Sequence, residues 1–335
     1  KGDKVYVWDE KTNRIKKSIV KNKIYSGEKK IYKLEAGGRE IEASGNHPFL
    51  TLTRRKNNPE HKKGFFHHEW VPLEKLNEGD LVCITKRLPI EGKSYTLPQL
   101  KVGEVIKSKN QYSSFEMNTS YLHNNNIKIP KQTNDDFMWL MGLLLGDGHV
   151  DIKQNKINIA THETEDYRDQ LIRTLKELFI YDVTEKKERY IVINSKTLCR
   201  LFAEIGFSGN ADTKSIPNWV FTLPESQILN FLAGYFDSDG HVHKNSVAIT
   251  SINKKMLEEV RLLSIIVGFG TSRIFKHGLA RKQNILGRIC NVKDSWRIHL
   301  TGKKIKELPV RCLRKNRKIE KCNPKRSYVS AKGFN

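Results

Sequence analysis

Residues 232–243 read LAGYFDSDGHVH, and residues 140–150 read LMGLLLGDGHV. The two phrases share a register: Gly142 and Gly234, Asp147 and Asp239, Gly148 and Gly240, and His149 and His241 are each 92 residues apart. Each aspartate closes an apolar, helix-like run, where the helix macrodipole already presents partial negative charge. Two such carboxylates near one another call for a cation. No lysine or arginine adjoins either of them in sequence, which points to a divalent metal. Mg²⁺ is commonly held by one or two carboxylates, with water and phosphate oxygens completing its shell. Metals held in this way can activate water and stabilise the leaving oxygen of a phosphodiester. His149 and His241 flank the aspartates, as contacts to phosphate or water or as turn residues. The glycine after each aspartate is expected to let the chain turn sharply out of its helix.

Positioning two aspartates requires two packed helices. Gly142 and Gly234 fall mid-helix, where glycine costs roughly 1 kcal/mol relative to alanine. A helix accepts that cost where its backbone lies against another, so the two phrases are expected to pack together, glycine side inward, about a pseudo-twofold axis. The flanking patterns repeat as well. NDDFMWLMGLLLG reads as a helix, KINIAT as a strand, ETEDYRDQLIRTLKELF as a helix, RYIVINS as a strand and KTLCRLFAEIG as a helix. The order then restarts: ESQILNFLAGYFD helical, SVAITS a strand, NKKMLEEVRLLSIIVG helical, TSRIF and SWRIHL strands, and KKIKELPVRCLRK helical. Ile129–Pro130 and Ile216–Pro217 lead into the two copies. A period this long suits two halves of one domain rather than a solenoid.

Sixty Lys and Arg against 37 Asp and Glu leave a net charge of +23, a field that attracts polyanions, nucleic acid first among them. From Lys303 to Arg326 eleven basic residues face only Glu307 and Glu320, a local net of +9. No apolar run approaches the length needed to cross a bilayer. The five cysteines form no close pair and read as reduced thiols of a cytosolic protein. The first ninety or so residues look all-β, with short β-branched and aromatic runs punctuated by Gly, Asn and Asp. Residues 53–70 interrupt them as a basic loop, in which His61, His67 and His68 lack a cysteine or carboxylate framework for metal. Residues 91–130 read as a linker or hinge.

LMGLLLGDG and LAGYFDSDG resemble the paired signature helices of the LAGLIDADG homing endonucleases, over about residues 130–320. The second copy matches closely; the first has Leu145 where the second has Asp237, a residue read as serving helix end or packing. The resemblance implies a monomeric, single-chain pseudo-dimer of two αββαββα halves, residues 131–210 and 211–320, that cuts both strands of a long, specific double-stranded DNA site. It implies Mg²⁺ at Asp147 and Asp239, with Gly146 and Ser238 beside them in the metal site, and a saddle of strands in the major groove. One basic residue per half would assist at the scissile phosphate: Lys186 in VTEKKERY, with Lys187 as its rival, and Lys276 in TSRIFKHG. Lys303, Lys304, Arg311, Arg314 and Lys315 would hold flanking DNA.

The N-terminal segment resembles a different family. GREIEASGNHPFLTL is similar to the histidine block of intein (Hint) splicing domains, and HEWVPLEKLNEGDLV to the strand that follows it. The resemblance implies that Ser44 and His47 polarise the peptide bond at the upstream splice junction, His47 protonating the leaving nitrogen. It also implies that Asn335 cyclises downstream, with Phe334 in place of the usual penultimate histidine. Such a domain opens on Cys, Ser or Ala, so a chain opening on Lys1 is expected to be trimmed by a few residues. Residues 1–90 are thus expected to form an all-β Hint-like domain and residues 321–335 a basic tail, a remnant of its C-terminal segment. The α+β pseudo-symmetric endonuclease domain lies between them. Two alternatives compete: a splicing element whose nuclease has decayed, which loss of a motif aspartate would mark, and a non-cleaving, maturase-like DNA- or RNA-binding module. Both aspartates are present, and the second alternative leaves the Hint-like segment without a role.

Overall fold

The computed structural model describes residues 1–323 apart from 13, 37–38, 56–64, 86, 90, 99–104, 110–111, 116–126 and 286. It divides into two units, Lys1–Pro89 and Ile90–Lys325. Asn335 and most of the expected basic tail lie outside the described residues, as does His61.

The first unit contains three antiparallel hairpins: β1 (Lys4–Asp9) with β2 (Arg14–Ile19), β3 (Ile31–Ala36) with β4 (Arg39–Ser44), and β5 (Pro48–Arg55) with β6 (Phe65–Pro72). Among its described residues there is no α-helix. The interruption expected over 53–70 is narrower than that, because β5 runs to Arg55 and β6 starts at Phe65, carrying His67 and His68 in its ladder.

In the second unit, β7 (Val105–Lys109), β8 (Tyr112–Phe115) and β9 (Ile127–Pro130) form a three-stranded antiparallel sheet. Then come α1 (Asp135–Asp147), β10 (Gly148–Asp151), β11 (Lys156–Ala160), α2 (Arg168–Phe179), β12 (Glu185–Lys186), β13 (Tyr190–Asn194) and α3 (Lys196–Glu204). This is the αββαββα order, its strands arranged β10-β11-β13-β12. The second half runs α4 (Glu225–Asp239), β14 (Gly240–Val242), β15 (Val247–Ser251), α5 (Lys254–Ile266), β16 (Gly270–Thr271), β17 (Phe275–Gly278), β18 (Arg281–Ile285), β19 (Arg288–Val292), β20 (Ser295–Thr301) and α6 (Leu313–Lys321). Its sheet order is β14-β15-β20-β16, with β17 also on β20, while β18 and β19 pair as a separate hairpin.

Two expectations need correction. The segment 91–130 is not simply a linker: Lys93 N donates to Thr222 O (3.2 Å), Tyr95 stacks on Trp219 at 4.3 Å, and Leu97 is buried. The single helix expected over KKIKELPVRCLRK is instead a 3₁₀ turn (Lys303–Glu307), an extended stretch and then α6. Pro309 explains the break, since it lacks an N–H and its ring excludes the preceding residue from the helical region.

The core of the second unit is the α1–α4 pair. From Phe137 to Leu145, α1 is buried at every position, and α4 is buried from Phe231 to Asp237, as befits helices that are apolar on all sides. A Cβ built on Gly142 would lie 2.0 Å from Phe231 O and 2.8 Å from Tyr235 N; one on Gly234 would lie 2.0 Å from Trp139 O and 2.9 Å from Leu143 N. The two contact sets map onto each other by the same 92-residue shift, so the seam is pseudo-symmetric residue by residue. Farther along, Gly146 meets Ser238, itself 92 residues on. Gly148 and Gly240 have ordinary extended backbone (φ −91° and −80°). They are glycine for a steric reason instead, because a Cβ on either would collide with Leu144 or Phe236 in its own last helical turn. Replacing Gly142 or Gly234 by alanine is expected to destabilise this unit by about 3 kcal/mol, the upper end of overpacking costs, because the obstacle is backbone. Urea unfolding of each variant checks this; unchanged stability, or the gain of about 1 kcal/mol that helix propensity alone gives to alanine, would contradict the close approach.

Candidate active site

Because α1 and α4 touch along their length, their C-terminal ends arrive together, bringing Asp147 and Asp239. A Cβ on Gly146 would lie 2.9 Å from Asp239 Oδ2, so the carboxylate of α4 reaches across to the backbone of α1. Burial pushes Asp147 up to about 6. It pushes Asp239 up to about 7, with further help from the negative charge of Asp147.

The compensating cations are two lysines far away in sequence. Lys214 Nζ donates to the carbonyls of Leu144 (3.1 Å), Leu145 (2.8 Å), Gly146 (3.2 Å) and Gly148 (2.6 Å) at the end of α1. Lys315 Nζ donates to those of Phe236 (2.9 Å), Asp237 (2.6 Å) and Ser238 (3.1 Å) at the end of α4. Each ammonium therefore satisfies carbonyls that a helix terminus leaves unpaired and opposes the negative end of its dipole. The lysines also act crosswise. The leading positive charge on Asp147 is Lys315, docked on the other helix, and that on Asp239 is Lys214. Burial lowers Lys214 to about 8, so it stays protonated at neutral pH, and lowers Lys315 as well.

The sequence points to a divalent metal as the compensating cation; in the structure two lysines stand beside the aspartates. They do not complete the compensation, since both carboxylates remain raised despite them and Glu165 adds negative charge near Asp147. The donor set, two neighbouring carboxylates short of positive charge, thus fits a divalent ion. Gly146 and Ser238 lie at the seam, with their carbonyl oxygens turned to the lysines.

Asp237 is 1% exposed and accepts from Trp139 Nε1 (2.8 Å), Arg311 N (3.0 Å) and Cys312 N (3.1 Å). Burial raises its pKa against the pull of those three donors. It thereby ties α4 to α1 and to the stretch entering α6. Arg311 stacks its guanidinium over Trp139 at 4.2 Å and pairs with Asp136. The pseudo-equivalent of Asp237 is the buried Leu145, so this tie exists on one side of the axis only.

Other expected site residues stand elsewhere. Lys186 is opposite Ile191 in the β12–β13 ladder, which puts it on the sheet face of that buried residue. Lys276 is opposite Trp296 and pairs with Asp294 at 2.6 Å. Neither is among the charges acting on Asp147 or Asp239. Of the five residues assigned to DNA, Lys304 pairs with Glu225, Arg311 with Asp136, and Lys315 docks on α4. Lys303 and Arg314 are exposed. His149 and His241 are exposed on β10 and β14, opposite Asn158 and Ala248. In the first unit, half-buried Ser44 accepts at its backbone carbonyl from His47 N (2.9 Å), and the exposed His47 ring meets Phe49 edge-on. Sequence reasoning does not find Lys214. Lys214 follows Asp147 by 67 residues and Lys315 follows Asp239 by 76, so no shared spacing marks the pair.

With this geometry in place, the LAGLIDADG-like domain matches the chain twice, over residues 134–206 and 226–299. Each match spans one half of the second unit, which therefore carries a LAGLIDADG-like α+β fold. Among known proteins, an iron–sulfur cluster assembly SufBD family protein of Mycobacterium leprae is 28% identical over 319 residues, covering 93% of this chain and 34% of that protein. A reverse gyrase of Pyrococcus horikoshii is 27% identical over 242 residues, covering 72% of this chain and 13% of that protein. The chain thus spans about a third or less of these relatives. Among solved structures, the homing endonuclease I-DmoI in complex with DNA and Ca aligns with a TM-score of 0.36 and 15% identity, over 52% of this chain and 88% of that one. No helix among the described residues is long and apolar enough to cross a membrane.

The raised carboxylates have a thermodynamic consequence. Between the ordinary aspartate value and about 7, the folded chain holds protons that the unfolded chain has lost, so rising pH through this window subtracts stability. Replacing both Asp147 and Asp239 by asparagine removes that contribution. The variant is expected to gain stability relative to the parent progressively from pH 4 to pH 7, read by urea unfolding across the range. A constant or shrinking gap would contradict the raised titration of this pair.

Proposed function

We propose that the second unit is a site-specific double-strand DNA endonuclease of the homing type, hydrolysing one phosphodiester per strand, with Asp147 and Asp239 as its metal-holding residues. The observation that carries this reading is the pair of under-compensated carboxylates at the meeting point of two pseudo-symmetric helices. One pair of acids on a twofold seam suits one duplex whose two strands run in opposite senses. A divalent ion, Mg²⁺ in this proposal, would supply activated water and stabilisation of the leaving oxygen. Lys214 and Lys315 keep fixed positive charge beside the acids, where negative charge develops on a phosphoryl group in the transition state.

The solvent faces of the two sheets read bases in this proposal, a role known for β-strands in the major groove. His149, Asn158, Lys156 and Asn194 share one such face by register, and His241, Thr250, Arg297 and His299 the other. Arg317, Lys318 and Lys321 on α6 are exposed and available to phosphates, so affinity falls steeply with salt through counterion release.

We further infer that the endonuclease is carried within an intein. In support, an iron–sulfur assembly protein and a reverse gyrase are proteins of unlike kind, and the chain covers only 34% and 13% of them, as expected of an element inserted into different hosts. The all-β first unit and the Ser44–His47 turn agree with a Hint-type splicing domain, whose junction chemistry would involve those two residues and Asn335.

The test is cleavage of a randomised duplex library by the purified chain with Mg²⁺, beside Asp147→Asn and Asp239→Asn. Sequence-selective double-strand cuts by the parent, lost in both variants, are expected. Cutting that survives in both would refute the assignment of these acids, and absence of cutting by the parent would refute the endonuclease.

A further inference from the structure

Each lysine at the seam docks on one half and is held in place by the other. Lys214 reaches the end of α1, in the first half, yet its backbone is clamped by Asn253 of the second half. Asn253 Nδ2 donates to Asp212 O (3.1 Å) and Lys214 O (2.7 Å), while its Oδ1 accepts from Met256 N (3.0 Å) and caps α5. Two residues past Lys214, Ile216 N donates to Glu259 Oε2 on α5 at 2.7 Å.

Lys315 is the third residue of α6 and reaches the end of α4, in the second half. Helix α6 has no side-chain cap from its own N-cap residue, Cys312. The first half provides one: Asp166 Oδ1 accepts from Leu313 N (3.0 Å) and Oδ2 from Arg314 N (2.8 Å). A carboxylate there also opposes the positive end of the α6 dipole. Arg314 approaches Glu165, the neighbour of Asp166, at 3.4 Å.

We propose that Asp166 and Asn253 are positioning residues, each fixing from the opposite half the backbone that carries one lysine into the seam, so that Lys315 and Lys214 are set independently. An exposed aspartate and a helix-capping asparagine would ordinarily do no more than end a helix. Here each bonds to a backbone that reaches a half-buried ammonium within two residues, and the two act on different lysines. Insofar as the proposal concerns catalysis, it rests on the endonuclease reading.

The test separates the two. The full chain is treated briefly with an acetylating amine reagent, and the modification of each lysine is read by mass spectrometry, with exposed Lys303 and Lys318 as internal standards. In the parent, Lys214 and Lys315 are expected to react slowly. Asp166→Ala is expected to speed labelling of Lys315 about five- to tenfold, the effect of losing one helix cap on local opening, with Lys214 unchanged. Asp166→Asn, which keeps one acceptor, falls between parent and Ala. Asn253→Asp keeps the acceptor that caps α5 but loses both donors, and is expected to speed Lys214 alone. Labelling unchanged at the target lysine, or raised at both lysines in either variant, overturns the proposal; this readout needs no cleavage. On a duplex that the parent cuts, each variant is expected to slow one strand more than the other, and opposite strands in the two variants. Equal slowing of both strands would overturn independent positioning while leaving the endonuclease intact.

Discussion

Two helices can bring their backbones into contact only where side chains are missing, and that contact governs the second unit of this protein. Gly142 lies against Phe231 and Tyr235, and Gly234 against Trp139 and Leu143, all at backbone atoms. The approach removes most freedom in how α1 and α4 are set relative to one another. Once they touch mid-length and again at Gly146 and Ser238, their C-terminal ends have nowhere to go but together. The site is therefore a consequence of packing. Asp147 and Asp239 meet because glycines several residues earlier permit it.

Meeting there is electrostatically unfavourable, and much of the surrounding structure answers that problem. Two helix ends and two carboxylates crowd negative charge together, and both carboxyl groups hold their protons to higher pH than a free aspartate does. Lys214 and Lys315 neutralise part of it while satisfying terminal carbonyls, at a desolvation cost that lowers their own pKa values. The remaining deficit leaves both carboxyl groups raised, Asp147 to about 6 and Asp239 to about 7. The symmetry is broken once, at Asp237, whose carboxylate receives three buried N–H groups and anchors the stretch before α6. Removing an acceptor from such groups costs about 1–3 kcal/mol apiece. Leu145, in the equivalent place, does the apolar counterpart of this packing.

Much of this was legible in the sequence, because it depends on local pattern. The in-register glycines and aspartates foretold a seam, and apolar periodicity located α1 to α5 to within a few residues. What escaped depended on distance along the chain. Lys214 sits between the halves in a plain stretch, ADTKSIPNW, and Lys315 in a run of basic residues whose charge suggested phosphate contact. Nothing in either neighbourhood says that its ammonium ends on a helix terminus. The unequal spacings from the aspartates, 67 and 76 residues, hid their equivalence; the second half carries the added β18–β19 hairpin. Lys186 and Lys276 follow the second helix of each half, but strand register sets them opposite Ile191 and Trp296, and neither is among the charges acting on the two aspartates. The glycines after the aspartates were anticipated for the wrong reason, conformational freedom, where the operative constraint is the space beside Leu144 and Phe236.

In the proposed reading the seam forms one cation-binding centre from both helices. Titration of the parent chain with Mn²⁺ at pH 7.5, followed by electron paramagnetic resonance, tests it most directly. Bound Mn²⁺ is expected in the parent and is expected to be lost in Asp147→Asn and in Asp239→Asn alike, because each carboxylate alone is too little. Mn²⁺ bound equally well by both variants, or not bound by the parent, would contradict the account.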